Sequence, residues 1–475
     1  MPKRQVRLTD ADNAEIAAAL AELRRQLRVP TGFSDAVVAE AERAARTHRR
    51  PRADETDVPF VTIDPPTSMD LDQAMHLERD GKGYRVRYAI ADVAAFVKAG
   101  GELDAEAHRR GETLYAPDGN ARLYPPVLSE GAASLLPGVE RPALVWTMAL
   151  DGTGEGIDVH VRGALVRSRE KLDYAGVQRS LDDGSAGEAL FLLREVGILR
   201  QQREARRGGV SLQLPEQEVT RGADGYGLTY RPPLPVEGWN AQISLMTGMA
   251  AAELMLTAKV GILRTVPEAD PKRLARLRRT ATALDVPWPK ELDYPSFVRS
   301  LDPNVPRQAA LLQQAAGVMR GSGYTAFEGH APRDPVHAAL ASTYAHTTAP
   351  LRRLVDRYVG EACVALSAGR EPADWVLAAL PGLPAVMEES AQKASQYEAG
   401  IVSTLEAAVL QRRVGETFEA VVVEVDEDGD GGLVQLREPA VAARCDGEAL
   451  PLGERIVVRL ELADVMQRQV RFTVA

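Results

Sequence analysis

Thr62-Ile63-Asp64-Pro65-Pro66-Thr67-Ser68-Met69-Asp70-Leu71-Asp72-Gln73 sets three carboxylates at offsets 0, 6 and 8. Just upstream, Val58 to Ile63 is β-branched and aromatic and predicts a strand, which leaves Asp64 at a strand end. Pro65-Pro66 followed by Thr67 and Ser68 predicts a turn. Asp70 and Asp72 alternate, so in extended chain they face one side, roughly 6–7 Å apart. Acids so placed repel one another unless a cation neutralises them, and oxygen-only donors suit Mg or Mn better than Zn. A solvated acidic turn is the competing reading. Against it, Pro65, Pro66, Met69 and Leu71 interleave the acids with residues that favour burial.

Composition bounds what such a site could serve. At 475 residues the chain should divide into about three domains, each with its own core. A net charge of −10 argues against a broad, nonspecific nucleic-acid surface but leaves room for a basic channel. Cys363 and Cys445 are too few for a disulfide framework or a Cys-rich zinc site, which predicts a reducing, cytoplasmic setting. Met1-Pro2-Lys3-Arg4 opens into a charged segment, and no apolar run reaches the roughly 18 residues of a membrane span. Neither a signal peptide nor a membrane partner is expected.

Outward from the acidic stretch, the chain divides in three. Residues 1–57 predict two helices: Ile16, Leu20, Leu23 and Leu27 recur on one face, Pro30-Thr31-Gly32 interrupts, and Ser34 can cap the second. Eleven Lys and Arg stand against seven acids through Arg52, so a helix-turn-helix-like RNA-binding unit and a plain helical hairpin are both open readings. Residues 58–412 mix strands to about 170 with helices over 185–207, 239–262 and 385–412. The Gly152-Thr153-Gly154-Glu155-Gly156 turn lacks phosphate-loop spacing and predicts a hairpin. Residues 413–475 alternate in short strands (Phe418–Val425, Gly432–Leu436, Arg455–Leu462, Val470–Val474) and fit a five-stranded OB-type barrel. Asp426, Asp428, Asp430 and Gly431 imitate a calcium loop, but Arg437 stands where the loop requires Glu, so a hairpin turn is expected. The fold class is therefore a multidomain α+β chain.

Several motifs in order resemble the ribonuclease II / ribonuclease R family of 3′→5′ exoribonucleases. They are the acidic stretch, Ala89-Ile90-Ala91-Asp92-Val93, Leu114-Tyr115-Ala116-Pro117, Leu128-Ser129…Ser134-Leu135, and Tyr344-Ala345-His346-Thr347-Thr348-Ala349-Pro350-Leu351-Arg352-Arg353. The likeness covers roughly residues 58–475 and implies an RNB-type catalytic domain followed by an OB-fold barrel. The chain departs from the family at Gln73, where a fourth acid is expected, and at its N-terminus, where 57 residues are too few for two cold-shock domains. Leu212 stands where the family has a stacking Phe, and the helix segment around Met246-Thr247-Gly248-Met249 is altered.

The resemblance implies metal ligation by Asp64, Asp70 and Asp72, with Asp72 orienting the attacking water and Gln73 an uncertain neighbour of the metal site. It further implies nucleotide contacts from Tyr115 and Tyr174. Periodicity separates the two arginines. Arg352 shares a face with Val355, Val359 and Cys363, whereas Arg353 shares one with Asp356, Arg357 and Gly360. Arg352 is thus predicted to point inward, in the first turn of a helix begun at Pro350, and to bind the scissile phosphate. Glu398 lies in line with Met387, Ala391, Ala394, Ile401, Leu405 and Ala408. A lone acid in such a stripe needs a cationic partner, and by its distance from Gly415 it corresponds to a functional family Glu that would clamp the terminal nucleotide. No G-x-S-x-G occurs, and the histidines lack metal spacing. The expectation is a monomeric, Mg-dependent (Mn possible) hydrolase that processively shortens single-stranded RNA. A catalytically impaired RNA-binding protein and a phosphodiesterase not specific for RNA are the alternatives.

Overall fold

A computed structural model of the chain describes residues 14–475 apart from 211–215, 223, 224, 232, 304, 320, 427, 428, 437 and 440. Leu212, Asp428 and Arg437 lie outside the described residues. The central layer is a seven-stranded sheet of β1 (Ala53–Asp54), β2 (Val61–Ile63), β3 (Gln73–Asp80), β4 (Gly83–Ala91), β5 (Glu140–Leu150), β6 (Gly156–Arg167) and β7 (Glu170–Leu172). Its spatial order is β1-β6-β5-β4-β3-β2-β7. Tight hairpins set the register of the long strands. Gly81 turns β3 into β4 at φ +58, where a side chain would be strained, and Asp151 organises the β5–β6 turn by accepting from the amides of Thr153 and Glu155. The 152–156 segment is thus the expected hairpin.

Helices cover one face of the sheet because β3, β4 and β5 send Leu77, Val86, Tyr88, Trp146 and Met148 into a common core. The chain order is α1 (Ala14–Gln26), α2 (Asp35–Thr47), α3 (Glu102–Arg110), α4 (Tyr174–Asp182), α5 (Glu188–Arg207) and α6 (Pro235–Ala258). There follow α7 (Pro271–Ala283), α8 (Tyr294–Arg299), α9 (Pro306–Ala316), α10 (Leu354–Ser367), α11 (Asp374–Ala379) and α12 (Leu383–Leu410). Ser34 caps α2, its Oγ accepting from the Val37 amide. The two N-terminal helices serve different cores. Val37 and Ala41 of α2 join the sheet core, whereas Ile16, Leu20 and Leu23 of α1 pack with α12 and the C-terminal barrel.

That barrel closes from Thr417–Val425, Gly431–Leu436, Ala442–Asp446, Arg455–Asp464 and Gln469–Val474. Ala442–Asp446 is the strand the sequence reading misses. It is short, with only Ala443 and Cys445 turned inward and Arg444 outside, so its alternation is faint. Helices α7–α9 form a third cluster that leans on barrel residue Val423. No helix among the described residues is long and apolar enough to cross a membrane.

Candidate active site

Asp64 follows directly on β2, and its amide donates to the Leu172 carbonyl at 3.0 Å, so the strand end is pinned to β7. The turn after it is held from outside: Lys171 Nζ donates to the carbonyls of Pro66 (2.7 Å) and Ser68 (2.6 Å). Ser134 then fixes the extended part. Its hydroxyl donates to the Met69 carbonyl at 2.6 Å and accepts from the Leu71 amide at 3.0 Å. Leu71 is fully buried, so its neighbours Asp70 and Asp72 project to the opposite side. Of the interleaved residues, Leu71 is buried and Pro65 half-buried. Pro66 is exposed and Met69 is 45% exposed, so the segment is shaped by hydrogen bonds from Ser134 and Lys171 more than by apolar burial.

The second wall comes from the 344–353 segment. Asp72 is 4% exposed; its Oδ1 accepts from the Leu351 amide at 2.7 Å and its Oδ2 lies 3.2 Å from Arg352 Nε. Burial and the nearby Asp70 push the Asp72 carboxyl well above the usual range, and the same two causes raise Asp64 to about 6. These are carboxylates in want of positive charge.

Here the helical-face argument is corrected. Helix α10 begins at Leu354, with Arg353 in the extended capping position, so Arg352 precedes the helix and Pro350 is not in its first turn. Both faces of α10 are buried: Val355, Val359 and Cys363, and equally Asp356, Arg357 and Gly360 of the polar face. Arg353 is held there by two bonds to Asp356 (Nε–Oδ2 2.5 Å, Nη2–Oδ1 2.7 Å), while the Arg352 side chain keeps 42% of its surface exposed. The error was to equate polar with outward. The buried Arg353–Asp356 pair leaves the neighbouring Arg352 half exposed beside Asp72.

Tyr115 enters by backbone pairing. The Thr113 amide donates to the Arg352 carbonyl at 2.9 Å, and two residues on, the Tyr115 hydroxyl donates to Asp70 Oδ2 at 3.1 Å. Tyr174 heads α4 beside Asp64; its hydroxyl accepts from Asn240 Nδ2 at 3.2 Å, and burial together with Asp64 raises it to about 12. The structure thus brings together Asp64, Asp70, Asp72, Arg352, Tyr115 and Tyr174. Glu398 is half-buried on α12 and engaged with a partner, but the fully buried positions around it are Ala394, Tyr397 and Ile401. Tyr397 takes the centre of the stripe, and Glu398 stands at its margin.

Gln73 opens β3 with both ends of its amide occupied: Nε2 donates to the Thr348 carbonyl and Oε1 accepts from Tyr88 Oη, each at 2.5 Å. Tyr88, Ser244, Asn240 and Lys171 carry no signal in the sequence, because each acts on the site from a separate segment. Thr348 and Ser134 are accessible to sequence reading, since both lie within the motifs quoted above.

Among the described residues no three acidic, histidine or cysteine side chains converge closely enough to hold a metal. The donor chemistry still fits a hard divalent cation. The set is oxygen-only, and two of its carboxyls are raised by burial and by their like-charged neighbour Asp70.

Residues 52–366 match the RNB domain, and residues 416–475 match the RNase II-type exonuclease C-terminal S1 domain. The chain belongs to the RNB-domain family. It is 25% identical over 505 residues to Ribonuclease R of Escherichia coli, an alignment covering 94% of this chain and 60% of the relative. Alignments to curated relatives cover from 20% to 71% of the relative's length, and less than two thirds of the Escherichia coli protein. In fold it resembles Mycoplasma genitalium RNase R, solved with ribose-methylated single-stranded RNA, at a TM-score of 0.86 and 18% identity, covering 98% of this chain and 79% of that one. It also resembles yeast Ssd1, described as a pseudonuclease, at a TM-score of 0.71 and 16% identity, covering 96% and 59%.

Proposed function

We propose that this chain is a divalent-metal-dependent 3′→5′ exoribonuclease that hydrolyses single-stranded RNA processively to 5′-mononucleotides. In this reading residues 58–412 form the catalytic part, 413–475 an RNA-binding barrel and 1–57 a helical accessory, in a cytoplasmic monomer. The observation that carries it is the meeting of Asp72 with the Leu351 amide and Arg352, which sets a buried carboxylate against a half-exposed guanidinium. Two opposite charges so arranged can handle the two parts of a phosphodiester reaction, the water and the phosphate.

Asp64, Asp70 and Asp72 would hold the cation, Mg or Mn. When bound, it supplies charge neutralisation at the scissile phosphate and a water activated for attack. Asp72, held still by the Leu351 amide, would orient the attacking water. Arg352 binds the non-bridging oxygens of the phosphate as a fork. Tyr115 and Tyr174 stack on or pack against the terminal nucleotides, and Glu398 clamps the 3′-terminal ribose.

A second reading, an RNA-binding protein with impaired catalysis, is favoured by one observation: a neutral amide, Gln73, stands where family members have a fourth acid. Incubating 5′-labelled RNA and DNA 20-mers with Mg, with and without EDTA, separates the readings. A ladder on RNA alone that EDTA abolishes is the expected result. Binding without cleavage favours the second reading, and equal cleavage of DNA points to a phosphodiesterase without RNA specificity.

A further inference from the structure

Gln73 departs from the family pattern beside the three acids, and its contacts give it a task of its own. A carbonyl oxygen can only accept, so the Gln73 amide nitrogen must face Thr348 and its oxygen must face the Tyr88 hydroxyl, which donates. The orientation of the amide is fixed by its partners. Thr348 lies three residues before Leu351 and four before Arg352, the two residues that engage Asp72. The Thr348 hydroxyl is in turn bonded to Ser244 Oγ at 2.8 Å on α6. One turn along α6 in either direction, Asn240 holds the Tyr174 hydroxyl, and Gly248 accepts from the Ala345 amide at 3.0 Å through its carbonyl. A β-carbon on Gly248 would come within 2.2 Å of the Tyr344 ring and 2.6 Å of the Ala345 carbonyl. Glycine is therefore required for the 344–348 segment to lie against this helix.

Resting on the functional reading above, we propose that Gln73 is a positioning residue, an amide latch that fixes the Thr348–Arg352 loop against the strand start carrying Asp72. Each position on the path is met from both sides: Tyr88 to Gln73, Gln73 to Thr348, Thr348 to Ser244. A carboxylate at position 73 could accept from Tyr88 but would present a second acceptor to the Thr348 carbonyl, and the loop would be released. In this chain the neutral side chain is thus needed where it stands, and the altered 246–249 segment belongs to the same device.

The test uses the full chain with Gln73→Met, which keeps length and removes donor and acceptor, and Gln73→Glu, which keeps shape but replaces the donor with an acceptor and adds a negative charge. Both should lower kcat by about tenfold to a hundredfold through a misplaced Arg352, with KM for RNA changed less than about threefold and the melting temperature close to wild type. Direct Mn binding, followed by electron paramagnetic resonance, should be no tighter in Gln73→Glu than in wild type. The double variant with Tyr88→Phe should lose little more than Gln73→Met alone, because the two act through one path. Wild-type kcat in Gln73→Met, or tighter Mn binding with raised activity in Gln73→Glu, would overturn the latch and make position 73 a metal neighbour. Should the wild-type chain cleave nothing, the functional reading fails while the latch is still read from amide hydrogen exchange. Peptides covering 347–353 should then exchange at least about tenfold faster in Gln73→Met, and unchanged exchange would overturn it.

Discussion

Two ionic assemblies meet at the consecutive residues Arg352 and Arg353, built from the same residue types and put to opposite ends. In the first, Arg353 grips Asp356 with two bonds, Asp356 also takes the Ala349 amide at 2.7 Å, and Arg357 is bonded to Asp104 and Tyr358 with its side chain fully buried. In the second, Asp72, Asp70 and Asp64 share one nearby arginine, Arg352, whose single contact to Asp72 is 3.2 Å and whose side chain is half open. In the first assembly two arginines balance two carboxylates, and the Arg353–Asp356 pair with the Ala349 amide holds the loop before α10, although Nε and Nη1 of Arg357 stay buried without a hydrogen-bond partner. The second is short of positive charge and open on one side, which is what a site for a cation and a phosphate requires. Charge alone does not mark a site; unmet charge facing a cleft does.

Breaking each assembly should therefore give different phenotypes. Arg357→Ala leaves Asp104 buried without its partner and should cost on the order of 3–5 kcal/mol of stability, read as a lowered melting temperature or insolubility. Arg352→Ala should leave stability within about 1 kcal/mol, since the side chain is partly solvated, yet lower kcat by about 10²–10³. If the two variants behave alike in melting, the distinction between the assemblies is wrong.

Asp64 sharpens the contrast, because its assembly costs the fold stability. Its folded pKa of about 6 lies above the ordinary 3.8, so the fold favours the protonated form. Asp64's contribution to the stability of the metal-free protein should then fall as pH rises from about 4 to about 6 and stay level beyond. Asp64→Asn should remove that fall and gain on the order of 2 kcal/mol at pH 7 in EDTA, while abolishing cleavage. A variant less stable than wild type at pH 7, or the same slope with pH, would contradict the assignment.

The smallest effect belongs to Tyr115, whose hydroxyl makes one bond, to Asp70. Tyr115→Phe should change stability by about 1 kcal/mol or less, with a modest loss of kcat. Tyr115→Ala should lengthen the shortest RNA fragment left, as one stacking contact worth roughly 1–3 kcal/mol is removed. An unaltered end product with normal melting would take Tyr115 out of the RNA path.

Much of this was legible in sequence because local spacing carries it. The D-x5-D-x-D stretch, the strand before it and the Pro-Leu-Arg-Arg motif name Asp64, Asp70, Asp72 and Arg352 directly, and long periodic patterns place α5, α6 and α12. What stayed hidden has one physical cause: it depends on contacts between distant segments. The face of α10 was misjudged because Asp104, the partner that makes Arg357 a buried residue, lies 253 positions away. Gln73 read as a missing ligand because Thr348, which its amide serves, is 275 positions distant. The two N-terminal helices are present, but only their packing shows that α1 belongs with the barrel and α12 while α2 belongs with the sheet.

The central claim, that the unmet charge around Asp72 performs hydrolysis, is tested most directly by Asp72→Asn. The substitution keeps the side chain's shape and removes one negative charge from the assembly that faces Arg352. With 5′-labelled single-stranded RNA in Mg, wild type should release mononucleotides down to a short core. Asp72→Asn should release none within the same time, while its Kd for the same RNA stays within about threefold, because stacking and barrel contacts are untouched. Cleavage by Asp72→Asn within about tenfold of wild type would contradict the account, since removing a metal-binding carboxylate must cost far more than that.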